Sequence, residues 1–190
     1  MIYPIRAFGD PVLRKVARPI EKDYSGLKEL IENMYETMYG ASGIGLAAPQ
    51  IGLDIRLFII DVSPLAQDED YADIAEELKD GRKVFINAKI LEETGEEWKF
   101  NEGCLSIPDI REDIKRKDTI TIEYLDENFV KHTETFSDIR ARVIQHEYDH
   151  IEGILFTDRL SPLKKKLVKG KLSKITQGDV QVDYKMRFIK

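Results

Sequence analysis

Residues 138–153 read DIRARVIQHEYDHIEG, and this stretch decides the fold. Ile139, Val143, His146 and His150 recur at three- and four-residue spacing, so they share one face of a helix. Two of those residues are apolar, which turns the face inward, and Gly153 supplies the stop. Buried imidazoles need partners. Histidines four apart can both reach one metal ion, and Glu147 stands beside the first, placed to meet a bound water without being a ligand. A catalytic site of this type takes three protein ligands and keeps one position open. The familiar zinc proteases find the third ligand in a downstream Glu or His, yet after Glu152 this chain has neither, and Asp158 is the only nearby acid. Upstream, Cys104 in EGCLSIP (102–108) follows a predicted strand and could complete a Cys-His-His set. A structural metal site would need a fourth protein ligand, and none is evident.

Around this helix the pattern is α+β. Thr119–Phe136 alternates in hydrophobicity through Ile120, Ile122 and Tyr124, turns at Asp126–Asn128 and returns as a second strand. Lys83–Leu91 and Glu97–Phe100 read as further strands, and Ile55–Val62 (IRLFIIDV) as a buried one. Ser63–Arg82 is an acidic surface excursion with a short helix near Ala72–Leu78. Leu27, Leu30, Ile31, Met34 and Met38 mark a helix capped by Ser25 and ended by Gly40. A Lys-rich amphipathic helix begins near Ser161, and a terminal strand is expected over Val180–Phe188. The expected architecture is one compact domain, its antiparallel or mixed strands packed around a central metal-binding helix.

At 190 residues the chain can bury a substantial core. Met1–Phe8 lacks the apolar region of a secretory signal, and no apolar run approaches membrane-spanning length, so a cytoplasmic, soluble, monomeric protein is the default. The net charge is −6, but residues 163–190 hold nine Lys/Arg against two acids. That segment carries +7 and leaves −13 on the first 162 residues. Basic runs are usually solvated faces; the sharper reading is contact with a polyanion such as ribosomal RNA. Cys104 is the single cysteine, which excludes an intrachain disulfide. His132 has no ligand-type neighbours and reads as a surface residue.

Three segments together resemble peptide deformylase: GIGLAAPQIG (43–52), EGCLSIP (102–108) and QHEYDH (145–150), in the family's order. DPVL (10–13) and LSP (160–162) extend the likeness over about residues 1–165, the expected catalytic domain, with 166–190 as its basic C-terminal extension. The resemblance implies removal of the formyl group from the N-terminal methionine of new polypeptides. It implies Cys104, His146 and His150 as ligands of one divalent ion, Fe²⁺ in the cell, with Zn²⁺, Ni²⁺ or Co²⁺ also suited to the donor set. Glu147 is then general base and acid, Gln50 and the Leu105 backbone N–H donate to the formyl oxygen, and Gly45 bonds the substrate main chain. Ile44, Phe100, Ile139 and Val143 are the expected apolar lining for the methionine side chain. Glu102 is expected to brace the cysteine loop through Arg111 or Arg116. The implied partners are N-formylmethionyl nascent chains and, through the basic segment, the ribosome.

Overall fold

The computed structural model describes residues 1–189; Lys190, counted in the basic segment, lies outside the described residues. The histidine-bearing stretch forms helix α3, Asp138–Ile151. It closes at Gly153, whose positive φ of 72° no β-branched or bulky residue adopts readily. A side chain at Gly153 would also meet the Arg14 backbone at 2.8 Å.

Helix α3 packs on a five-stranded sheet of strands β2 (Gly45–Ala47), β3 (Leu57–Asp61), β4 (Arg82–Cys104), β5 (Ile107–Leu125) and β6 (Lys131–Ser137). The strands pair antiparallel in that order. Every residue of β3 is buried. The two-residue period of a strand explains why: Leu57 and Ile59 face the core beneath helix α1 (Leu27–Gly40), while Phe58 and Ile60 face the core beneath α3. Val84 and Ile86 repeat the division around Phe85 on the neighbouring strand. A sheet covered by helices on both faces needs apolar side chains at successive positions, which is what IRLFIIDV supplies.

Lys83–Leu91 and Glu97–Phe100, expected as separate strands, are parts of the single strand β4. Its exposed middle is kept in the ladder by pairing with β5, through register shifts at three points before the tip. The two strands therefore form one long hairpin whose tip is Leu105–Ser106. The cap of α1 is Gly26, at φ 73° with no side-chain bond, rather than the exposed Ser25. The acidic excursion is more than surface: it forms short 3₁₀ turns and a helical turn, α2 (Ala75–Leu78), anchored by fully buried Leu78. Helix α4 (Pro162–Gln177) buries only Val168 and Ile175 and leaves Leu163 and Leu167 about 70% exposed. Of the expected terminal strand, only Met186–Arg187 (β7) pairs, in parallel with the N-terminal strand β1 (Ile5–Arg6).

Phe85 is fully buried, stacked on Phe58 at 4.6 Å and tilted against Tyr124 at 4.4 Å between ring centroids. Phe85→Ala is expected to lower unfolding free energy by about 3–5 kcal/mol through the cavity it leaves. Urea titration will show a lower midpoint at an unchanged slope.

Candidate metal centre

Cys104 ends β4 at the hairpin tip, directly above the inward face of α3. Its sulfur and one ring nitrogen from each of His146 and His150 all lie within 4.8 Å of one another. Cys104 Sγ is 3.3 Å from His150 Nε2. Three soft-to-borderline donors converging in this way fit a divalent transition metal and leave one position for water or substrate. One further atom fits the same reading: Glu147 Oε2 is buried with no hydrogen-bond partner among the described residues.

His146 is oriented by Glu102, whose Oε2 lies 3.0 Å from His146 Nδ1, so the other ring nitrogen turns to the cluster. Glu102 is in turn fixed by Arg116, which donates at 2.7 and 2.9 Å, and by Arg142, which donates at 2.8 Å. Arg116 reaches onward to Asp149 at 2.7 Å, and Asp149 also accepts from Arg159 at 2.6 and 2.7 Å. Burial alone would raise the Glu102 carboxyl, but bonds from His146 and Arg116 outweigh it and hold it well below the usual carboxylate range. Of the two arginines expected to brace Glu102, Arg116 does so; Arg111 bonds Asn101 instead.

Glu147 is buried on α3 beside Gly45 of β2. A β-carbon at Gly45 would collide with the Glu147 carboxylate, so glycine is required for the two elements to approach. Burial pushes the Glu147 carboxyl up to about 7. Gln50 is fixed at both ends of its amide: Oε1 accepts from Ala47 N at 2.8 Å, while Nε2 lies 3.4 Å from Ser106 Oγ and 3.6 Å from Cys104 Sγ. The donor end thus faces the cysteine. Leu105 sits in the turn itself.

A cavity of about 530 Å³ opens over this cluster, and Ile44, Gly45, Gln50, Phe100, Leu105, Val143 and Glu147 line it. Ile139 does not. It lies on the same face but about 10 Å along the helix axis from His146, at ~1.5 Å per residue, and is buried in the core there. Arg142, which sequence reasoning passed over, lines the cavity and is almost fully buried, its guanidinium 4.6 Å from the Trp98 ring centroid. The signal was available: a charged residue four before His146 lies on the helix's inward face. Asp149 and Arg159 carry no such mark. A second cleft, of about 580 Å³, is lined by Tyr35, Arg82, Lys83, Tyr124 and His132. Several of its polar side chains already have partners: Arg82 pairs with Glu32, Lys83 with Glu134, and His132 lies 2.9 Å from Asp126. Size alone would favour that cleft; the convergent donors favour the first.

A family model described as polypeptide deformylase matches residues 2–166. The chain is 64% identical over 189 residues to a peptide deformylase of Christiangramia forsetii, covering 99% of this chain and 96% of that protein. Its identity to a peptide deformylase of Flavobacterium johnsoniae is 61%, with the same coverage. Among solved structures it resembles peptide deformylase from Thermus thermophilus, with TM-score 0.80 and 40% identity over 95% of this chain and all of that one. The Legionella pneumophila peptide deformylase gives TM-score 0.79 and 37% identity over 94% and 98%.

Removing the charge that orients His146 tests the site's construction. Glu102→Gln is expected to weaken metal retention about 10–100-fold, the usual cost of losing an outer partner of a ligating histidine. Competition with a chromophoric chelator measures it.

Proposed function

The chain belongs to the polypeptide deformylase family, and from that premise we propose that it hydrolyses the formamide of N-terminal formylmethionine on new polypeptides, releasing formate. The observation that carries this reading is the convergence of Cys104, His146 and His150 beside a buried, unpartnered Glu147 carboxylate.

In this reading Cys104, His146 and His150 hold one divalent ion, with Fe²⁺ as the ion in the cell. The bound ion supplies Lewis acidity, which activates water for attack near neutral pH and draws charge from a carbonyl. Glu147 takes the proton of the attacking water and delivers it to the departing amine, a double role suited to a carboxyl whose pKa burial has brought to about 7. As the formyl carbon becomes tetrahedral, negative charge gathers on its oxygen. Gln50 Nε2 and the Leu105 backbone N–H are the donors proposed to meet it. Gln50 needs no rearrangement to do so, because its Oε1 is already tied to Ala47.

Substrate binding follows from the sheet. Strand β2 is an edge, and an extended peptide laid along Gly45 can add to it through main-chain bonds that ignore side-chain identity. That suits an enzyme acting on many different chains. Ile44, Phe100 and Val143 supply apolar walls for the methionine side chain. The catalytic part is taken as residues 1–165 and the basic extension as 166–190, with the ribosome as the partner of α4. No helix among the described residues is long and apolar enough to cross a membrane; we place the enzyme in the cytoplasm, where nascent chains are met.

Protein purified without oxygen is expected to release formate from formyl-Met-Ala-Ser, to stop on chelation and to leave acetyl-Met-Ala-Ser intact. Cleavage of internal bonds regardless of the formyl group would instead indicate an endopeptidase. Exposure to air is expected to inactivate the Fe²⁺ form faster than a Zn²⁺-loaded sample; equal lifetimes would argue against iron.

Single-site variants read the roles separately. Gln50→Ala is expected to lower kcat about 10²–10³-fold, and Glu147→Gln about 10²–10⁴-fold. For the extension, neutralising the lysines of 164–174 is expected to reduce co-sedimentation with ribosomes most at low salt. Unchanged binding would leave α4 as a solvated face.

A further inference from the structure

The hairpin tip that carries Cys104 and Leu105 is held by a single pair of its own ladder. The register is irregular between Gly103 and Cys104, and only Cys104↔Ile107 closes the pair beyond that point. The two turn residues are instead gripped from outside the hairpin. The Ser106 carbonyl accepts from Phe8 N at 2.8 Å, and the Leu105 carbonyl accepts from the Tyr184 hydroxyl at 2.8 Å. Phe8 follows β1; Tyr184 lies in the C-terminal tail, past the end of the matched family region at residue 166.

The tail is itself tied down. Ile5 N donates to Lys185 O at 2.8 Å and Ala7 N to Arg187 O at 3.0 Å, so β1 fixes the backbone on both sides of β7. Val180, Met186 and Phe188 pack with Cys104 against the core that contains Ile107, Leu155 and Phe156. Tyr184 packs with Leu105 against the core under α1. Its phenol, neutral at physiological pH, can donate one directed bond. A bond to the Leu105 carbonyl fixes the rotation of the peptide that follows Leu105, and with it the attitude of the Cys104–Leu105 peptide whose N–H faces the reaction in the reading above.

We propose that Tyr184 is a positioning residue: its hydroxyl holds the Cys104–Ser106 turn in its working shape and makes the C-terminal tail part of the active centre. The activity arm of the test rests on the deformylase reading; a second arm does not. Tyr184→Phe removes the hydroxyl and keeps the ring. It is expected to lower kcat for formyl-Met-Ala-Ser about tenfold, the kinetic equivalent of one well-placed hydrogen bond. KM should change less than about twofold, since the substrate's main-chain and side-chain contacts lie elsewhere. Amide hydrogen exchange across 104–107 is expected to quicken about tenfold while the rest of the sheet is unchanged. Leu78→Ala serves as the control: it removes a fully buried side chain in α2, away from the tail and the turn, lowers the melting temperature and leaves kcat in place. Wild-type kcat and wild-type exchange in Tyr184→Phe would overturn the proposal. So would an equal loss of kcat in Leu78→Ala, which would reduce the effect to general stability. If the unaltered protein releases no formate, the functional reading fails, and the exchange measurement alone still decides whether Tyr184 positions the turn.

Discussion

Glu102 is a carboxylate almost fully removed from water, and the site's geometry depends on how that charge is satisfied. Burying an ion costs several kcal/mol unless geometry and hydrogen bonds return it. Here both oxygens are engaged, by Arg116, Arg142 and His146. The donors come from β5 and α3 while Glu102 sits on β4, so satisfying this one charge fixes the helix against the hairpin. Arg116 and Arg142 are themselves buried, and a one-residue slip of β4 on β5 would turn Glu102 to the opposite face, away from them. The network therefore selects one arrangement more than it adds stability. That is the arrangement in which Cys104, two residues beyond Glu102, meets the two histidines.

The donor set is assembled from distant parts of the chain, with Cys104 more than forty residues before His146 and His150. Neither half can hold an ion alone in the proposed way. On that proposed donor set, binding would be coupled to closure of the long β4–β5 hairpin over α3, and the metal's affinity would also contribute to folding. The same coupling explains why so much outer structure converges on a two-residue turn. Phe8, Gln50 and Tyr184 reach it from three separate segments. Hairpins of this length twist and shift register easily, as the bulges along β4 show. External bonds at the tip confine that freedom away from the cysteine.

How much of this could be read from residues alone follows from the range of each interaction. Helix α3 was legible to within a residue or two, because its signal is a local period and its stop is a glycine. The buried strand Leu57–Asp61 was legible for the same reason. The length of β4 was not: its middle is exposed and charged, and only pairing with β5 keeps it extended. Nor was the cap of α1, where Gly26 in the left-handed region replaces the expected serine bond. Glu102's need for a basic partner could be anticipated, but choosing Arg116 over Arg111 requires the register of the hairpin. Tyr184 left no mark at all, since a tyrosine in a polar tail announces nothing until its hydroxyl is seen beside Leu105. The solved relatives support the fold and the family; the roles of single side chains rest on the geometry of this chain.

Gly45 shows how tightly the pieces constrain one another. Strand β2 must pass close enough to α3 for the peptide edge and the Glu147 carboxylate to share one cavity. At that separation the space a β-carbon would occupy is already filled by the carboxylate. Even alanine would push β2 away or turn Glu147 out of line. The neighbours of Glu147 on α3 are committed elsewhere: His146 to Glu102, Asp149 to Arg116 and Arg159. An unpartnered buried carboxylate is a costly thing to keep. Burial raises the Glu147 carboxyl to about 7, the range that the proposed role as base and then acid requires.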